Sequence, residues 1–424
     1  MRRILIFLFM ALMLVSSLIV WAESGESEIA RADQLWANHF TQGMTEKAIG
    51  VLGTIVEQEP DNYEALWRLG RCYQFLGEVS FNKERTVAIE KGLSFTGRAV
   101  KINDQGVNGH LWHALLVGSN LQDQRDPGGL GLVKQMHDEL QTVVRLEPQN
   151  GIAHFALAQL YHEAPGKPVG IGDKKKALTE AALAVKHMPS NNDAWIYYGY
   201  LEQENGDFAA ARVAYARFLD NTGSFKKYSV LVGEEEQPGQ DYETLWHLGY
   251  FYEFYGRNCP VKKEKLAAFE RGLSYTEEAL KLNPNGVNGH LYKALLTGDI
   301  GLEKGISKGL AMVKPMCDEL QTVINLEPGN AIAHYALGQL YWKAPGKPLS
   351  IGDKKKALEE TALAVKYDPQ NIEYWFYYGK IAADNKDYKT AKTAFTKVLN
   401  FFGGQRDFKA EAQKELNRLG DVKK

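Results

Sequence analysis

Several things are scarce in this sequence, and each shortage removes a class of protein. The chain has 424 residues and three cysteines, Cys72, Cys259 and Cys317, with no C-x-x-C pair. Neither a zinc site nor a disulfide framework is therefore signalled. Aligning the two halves puts Cys72 opposite Phe251 and Cys317 opposite His137. Neither thiol has a counterpart in the other half, and both read as packed free cysteines. Charge of one sign is missing too: 50 Lys and Arg stand against 52 Asp and Glu, a net charge of -2. A nucleic-acid binder would show a basic excess. No Ser-His-Asp order, paired carboxylate or H-E-x-x-H motif is present, so no enzyme, cofactor or metal is expected. Long apolar runs are absent after residue 22. Before it, Arg2 and Arg3 precede an apolar run from Ile4 to Val20, closed by Val20-Trp21-Ala22. That pattern predicts a signal peptide over 1–22 and a periplasmic or secreted chain, the alternative being an uncleaved N-terminal membrane anchor. No cysteine near the junction supports a lipoprotein.

One stretch is written twice. Residues 153–189 read AHFALAQLYHEAPGKPVGIGDKKKALTEAALAVKHMP, and residues 333–369 read AHYALGQLYWKAPGKPLSIGDKKKALEETALAVKYDP. Ala156, Leu157, Leu160 and Tyr161 lie at helical spacing, a Pro/Gly-rich break follows, and Ala177, Leu178, Ala181 and Val185 mark a second helix. The wider match is in order and spacing. YEALWRLGRCYQFLG at Tyr63 is answered by YETLWHLGYFYEFYG at Tyr242, GVNGHL recurs at 106 and 286, and DELQTV at 138 and 318. This is an internal duplication. The first helical block is expected over 27–220, a Gly, Pro and acid-rich linker over 221–241, and the second block over 242–400. An amphipathic capping helix is expected at 404–424.

A helix, turn, helix and closing Pro, in units somewhat over about 34 residues, resembles the tetratricopeptide repeat, which must stack on neighbours to bury its apolar face. The expected fold is all-α, a helical-repeat superhelix built from two duplicated blocks. The combination of W-x-L-G-x-x-Y (Trp67 to Tyr73), KE...EKGL (83–93), G-L-V-K (131–134), Y-x-x-A-P-G (161–166) and G-D-K-x-K-A (172–177) resembles the T component of tripartite (TRAP) solute transporters. It resembles less closely the helical domain of the regulator-of-microtubule-dynamics family. The first resemblance implies a scaffold that assembles with a solute-binding subunit or helps move a hydrophobic ligand. The chain departs from that pattern in its tandem blocks and in lacking a lipoprotein cysteine.

Repeats of this class line a concave face with positions 2, 5, 9 and 12 of each first helix. Read so, the first block offers Trp67, Arg71, Asn108, Phe155, Gln159 and Tyr200. The second offers Trp246, Tyr250, Asn288, Tyr335, Gln339, Trp342, Phe376 and Lys380. Rings interleaved with amides suit a peptide or an amphipathic ligand. A basic rim is expected at Lys167, Lys174, Lys175, Lys176, Lys347, Lys354, Lys355 and Lys356, beside Asp173 and Asp353 as helix caps. GKPVGIGDK is not a phosphate loop: it lacks G-x-x-x-x-G-K-[ST], and Gly170 becomes Ser350. His110 matches His290 and His154 matches His334. They read as structural, because no recurring carboxylate partner is evident: His162-Glu163 becomes Trp342-Lys343. The expected function is an exported, non-enzymatic scaffold for a protein or peptide partner, with the resemblance implying an accessory of a periplasmic solute transporter. The alternative is a carrier of a small hydrophobic ligand within the superhelix.

Overall fold

A computed structural model describes residues 28–80, 82–123, 129–223, 228, 232, 241–401 and 406–421. The predicted signal segment, 1–22, lies outside them. The expected all-α helical-repeat architecture is what forms, and the described residues contain no strand. Helix α1 spans 28–37. It is followed by α2 (Met44–Gln58), α3 (Tyr63–Val79), α4 (Asn82–Ile102), α5 (Val107–Asp123), α6 (Gly129–Leu146), α7 (Gly151–Glu163), α8 (Lys174–His187), α9 (Asn192–Asn205) and α10 (Phe208–Thr222). Then come α11 (Tyr242–Asn258), α12 (Lys262–Leu282), α13 (Val287–Lys304), α14 (Ile306–Leu326), α15 (Ala331–Lys343), α16 (Lys354–Tyr367), α17 (Ile372–Asp384), α18 (Tyr388–Leu399) and α19 (Arg406–Asp421). Two compact units divide at Leu183 and Ala184.

Local chemistry sets where helices start. Asn62, Asn150, Asn191, Asn330 and Asn371 each cap a first helix, and Asp173 and Asp353 cap α8 and α16 by accepting from two backbone amides apiece. Such caps satisfy donors that the helix itself cannot. A second device closes the turns between pairs. In each, a ring nitrogen reaches the carbonyl six residues upstream: His110 to Asp104, His154 to Pro148, His290 to Pro284 and His334 to Pro328, at 2.8–3.0 Å. Trp195 and Trp375 do the same to Pro189 and Pro369.

Close helix packing explains the recurring glycines. In the first unit a Cβ at Gly70 would collide with Thr96 Cγ2, and in the second one at Gly249 would collide with that of Thr276. Gly106 and Gly286 make room for the rings of Tyr63 and Tyr242. The hydroxyls of those tyrosines accept from Gly109 N (3.0 Å) and Gly289 N (3.1 Å), which ties α3 to α5 and α11 to α13. The Pro/Gly break between α7 and α8 is a self-contained loop: Gly172 N donates to Pro165 O and Asp173 N to Tyr161 O, and the second copy repeats both bonds.

Most of the segment expected as a linker lies outside the described residues. Two members of it, Tyr228 and Val232, are buried among Tyr215, Leu219, Phe251 and Tyr255. At the other end α19 has the expected amphipathic pattern, with Ala412 and Leu419 buried against the α17–α18 core around Phe376 and Phe395.

Candidate functional site

In the first unit the predicted groove positions are largely used up in packing and ion pairs. Trp67 is 6 % exposed, lies in a core with Leu66 and Ala99, and donates its Nε1–H to Glu64. It is sealed between helices, with Val56, Tyr63, Phe95 and Trp112 packed against its cluster. Arg71 donates to Asp33 at 2.8 Å and lies over the rings of Trp36 and Trp67. Burial pushes the Asp33 carboxyl up, but Arg68 and Arg71 together hold it below its ordinary value. Asn108 is exposed, while Phe155 and Gln159 are half-buried.

The second unit is different. Tyr200, half-buried on α9, bonds to Glu204. On α11, Trp246, Tyr250, Glu253 and Arg257 follow one another at helical spacing and share a face. On α13, Asn288, Tyr292 and Asp299 do likewise. Trp246 stacks parallel to Tyr292 with ring centroids 5.8 Å apart, and Tyr250 lies 5.1 Å from the same ring. Beside these rings Arg257 Nε is shared between Glu253 (2.7 Å) and Asp299 (3.1 Å). Burial pushes the Glu253 carboxyl up to about 7, with Arg257 opposing and Asp299 adding to the shift. Burial also raises Asp299, against the pull of Arg257. The Arg257 guanidinium is disfavoured by burial, yet the two carboxylates hold its pKa above the ordinary value.

A further set of rings belongs to α15 and α17. Tyr335 bonds to Glu373 at 2.6 Å and packs on Tyr374 and Tyr377, and Trp342 donates to Asp384 at 2.7 Å. Phe376 is 4 % exposed, sealed in the terminal core by Phe395 and Phe408. Lys380 lies over its ring and Lys343 over that of Tyr377. Burial lowers the Lys343 ammonium pKa, Glu373 resists this, and Lys380 adds to it. Gln339 has both amide atoms buried with no hydrogen-bond partner among the described residues. The expected basic rim is exposed in both copies, and Lys176 and Lys356 fold back over Tyr161 and Tyr341.

Sequence reasoning missed Tyr292, Tyr374, Tyr377, Glu253, Arg257 and Asp299. Four-residue spacing from Asn288 would have found Tyr292, and the stripe from Tyr250 would have found Glu253 and Arg257. It also missed the carboxylate partners of the repeated histidines. His154 Nδ1 meets Glu180 at 2.6 Å, His334 meets Glu360 at 2.6 Å, His290 meets Glu319 at 2.5 Å, and His110 meets Glu139. These acids lie 26 or 29 residues downstream and recur in both copies. The expectation that no carboxylate recurs is overturned, while the geometry keeps these histidines in the packing. Among the described residues no group of His, Cys, Asp and Glu is arranged to hold a metal.

The profile of the family described as regulator of microtubule dynamics protein 1-3 matches residues 29–163 and again 213–344, more than half of the chain. The chain belongs to this family. The resemblance ranked second on sequence grounds is thus the one that a family profile carries, and its double match fits the duplication. A tetratricopeptide repeat profile matches residues 169–224. Regulator of microtubule dynamics protein 3 of Rattus norvegicus is 26 % identical over 130 residues, which is 31 % of this chain and 27 % of that protein. The match thus spans about a quarter of the curated relative's length. Among solved structures, a thermophilic tetratricopeptide protein of Thermus thermophilus aligns with 16 % identity and a TM-score of 0.38, over 49 % of this chain and 96 % of its own. A tetratricopeptide repeat protein from Parabacteroides merdae aligns with 16 % identity and a TM-score of 0.33, over 73 % and 98 %.

Proposed function

We propose that this member of the regulator-of-microtubule-dynamics family is an exported, non-enzymatic binding scaffold that captures a segment of a protein partner. The capturing surface is the ring-bearing face of the first helices in its second unit. The observation that carries this reading is the Trp246–Tyr292–Tyr250 shelf, half-buried rings with polar and charged groups beside them. Such rings give contact area at small conformational cost, and the adjacent charges favour a polypeptide over a wholly apolar ligand. The rat relative's name assigns regulation of microtubule dynamics to that protein. The shared part is the helical repeat, so what this chain takes from the relationship is the binding fold. The apolar N-terminal run supports export, and the solute-binding subunit of a transporter is the partner implied by the resemblance to the TRAP T component.

Affinity capture from the source organism tests the reading. Wild type should recover a protein partner that Trp246→Ala with Tyr250→Ala loses. Equal recovery by both would overturn the assignment of the face. Fractionation, with mass analysis of the mature N-terminus, should find the chain outside the cytoplasm and cleaved after Ala22. A cytoplasmic chain beginning at Met1 would remove export.

A further inference from the structure

The shelf on α11 and α13 carries one charge too few. Two carboxylates, Glu253 and Asp299, share a single cation, Arg257, whose Nε faces both. Glu253 is 8 % exposed at its side chain and Asp299 13 %, so water screens neither well. The nearby Lys265 is engaged with Glu303 at 3.7 Å. Above about pH 7, where Glu253 is ionised, the site is left with a net negative charge against the faces of Tyr250 and Tyr292, both of which feel the Glu253 carboxylate. Ring faces and carboxylates attract the same kind of ligand group.

The first copy supplies the contrast. At the positions of Tyr250, Glu253, Arg257 and Asp299 it has Arg71, Gln74, Glu78 and Ser119. There Glu78 takes the Ser119 hydroxyl at 2.9 Å and faces Arg85 at 3.7 Å, so its charge is met from within the unit. The excess acid is a property of the second copy alone.

We infer that the ring shelf of the second unit docks a basic segment of the partner, seating a lysine or arginine side chain between Tyr250, Tyr292 and the Glu253–Asp299 pair. This rests on the scaffold reading above and gives its partner a chemistry. The entering cation pairs the surplus carboxylate and lies against the rings, while neighbouring apolar side chains cover Trp246. Burial is the main cause of the high Glu253 carboxyl and Asp299 adds to it, and it moves back toward its ordinary value when a second cation arrives.

The test uses the full chain and three dye-labelled short peptides of one polar frame, carrying lysines, acetyl-lysines or glutamates, read by fluorescence anisotropy. The lysine peptide should bind at least about tenfold tighter than the other two. Glu253→Gln or Asp299→Asn should each weaken it about tenfold, and Gln74→Ala in the first copy should not. Unchanged helical content and a cooperative melt no lower than that of wild type show that the isosteric variants fold. Equal binding of the glutamate peptide, or full binding by both carboxylate variants, overturns the inference. So does absence of lysine-peptide binding up to about 1 mM. The capture experiment with Trp246→Ala and Tyr250→Ala separates the two claims. Partner loss there, with no preference for lysine here, leaves the scaffold standing and removes only the basic segment.

Discussion

The His154–Glu180 clamp gives the sharpest stability prediction. His154 is 3 % exposed, and both ring nitrogens are committed, one to the Glu180 carboxylate at 2.6 Å and the other to Pro148 O at 3.0 Å. A carbonyl can only accept and a carboxylate prefers to accept, so the arrangement is best satisfied when both nitrogens carry protons. Accordingly Glu180 raises the His154 pKa, outweighing the burial that would lower it. His154→Ala removes one charge-assisted bond, worth about 1.5–3 kcal/mol, and one ordinary bond worth about 1 kcal/mol. The Glu180 side chain is 19 % exposed, so water recovers part of the loss. A net cost of about 2–4 kcal/mol at pH 6 is expected, cavity included. The sign of the pH effect follows from the raised folded-state value. The ionic contribution is complete below the unfolded-state pKa of about 6.5 and fades as pH rises through the folded-state value. The cavity part does not titrate, so the change with pH isolates the clamp. Urea unfolding of wild type and variant at pH 6 and pH 8.5 provides the measurement, with hydrogen exchange confirming that α7 and α8 open first. The gap should be smaller at pH 8.5. A gap that is constant, or that grows with pH, would refute the charged clamp.

Three further outcomes are expected. Gly70→Ala places a methyl against Thr96 Cγ2 and should cost about 1–3 kcal/mol, and Thr96→Ser, which keeps the hydroxyl bond to Gly92 O, should restore most of it in the double variant. Tyr63→Phe strips the acceptor from Gly109 N and should lower stability by about 1 kcal/mol, seen as faster amide exchange at the start of α5. Glu253→Gln should behave oppositely. Its carboxyl is raised to about 7 by burial among Tyr250, Tyr292 and Asp299, with Arg257 as its counter-charge. Ionisation therefore costs the folded state nothing below the unfolded value and its full amount above about 7. Melting at pH 8 should show the variant about 1–3 kcal/mol more stable than wild type, with the gain gone by pH 4.5; a loss at pH 8 would contradict it.

The helices, their pairing and the duplication were legible because they rest on local signals: apolar spacing, Pro/Gly breaks, and caps such as Asp173 that need only the next three residues. Contacts across many residues were not. The partner of His154 lies 26 residues on and that of His110 lies 29 on, where no short motif joins them. The face positions suffered from register. Counting from the helix start placed Trp67 and Phe376 toward the groove, but each ring turns into a core, Trp67 among Leu66 and Ala99 and Phe376 among Phe395 and Phe408. In the second pair of the second block, Asn288 was counted and Tyr292, one turn later, was not. A single-residue offset is enough to exchange a core ring for a surface ring on a helix.

The two copies differ where physics leaves them free to differ, and that is informative about the shelf. The tyrosine that ties one pair to the next, the glycine against the threonine methyl, and the histidine between carboxylate and carbonyl are each touched by several neighbours. Changing any one alone opens a cavity or strands a buried polar atom. The first-helix face is constrained less, and there Arg71, Gln74 and Ser119 correspond to Tyr250, Glu253 and Asp299. If stability alone shaped that face, apolar or neutral residues would suffice, since two poorly hydrated carboxylates sharing one guanidinium are expensive to hold. The second copy holds them nonetheless, beside three rings and with its carboxyl groups pushed above their ordinary values. A local rule broken at a cost, on the side of the repeat that carries half-buried rings, is the pattern of a surface kept for binding.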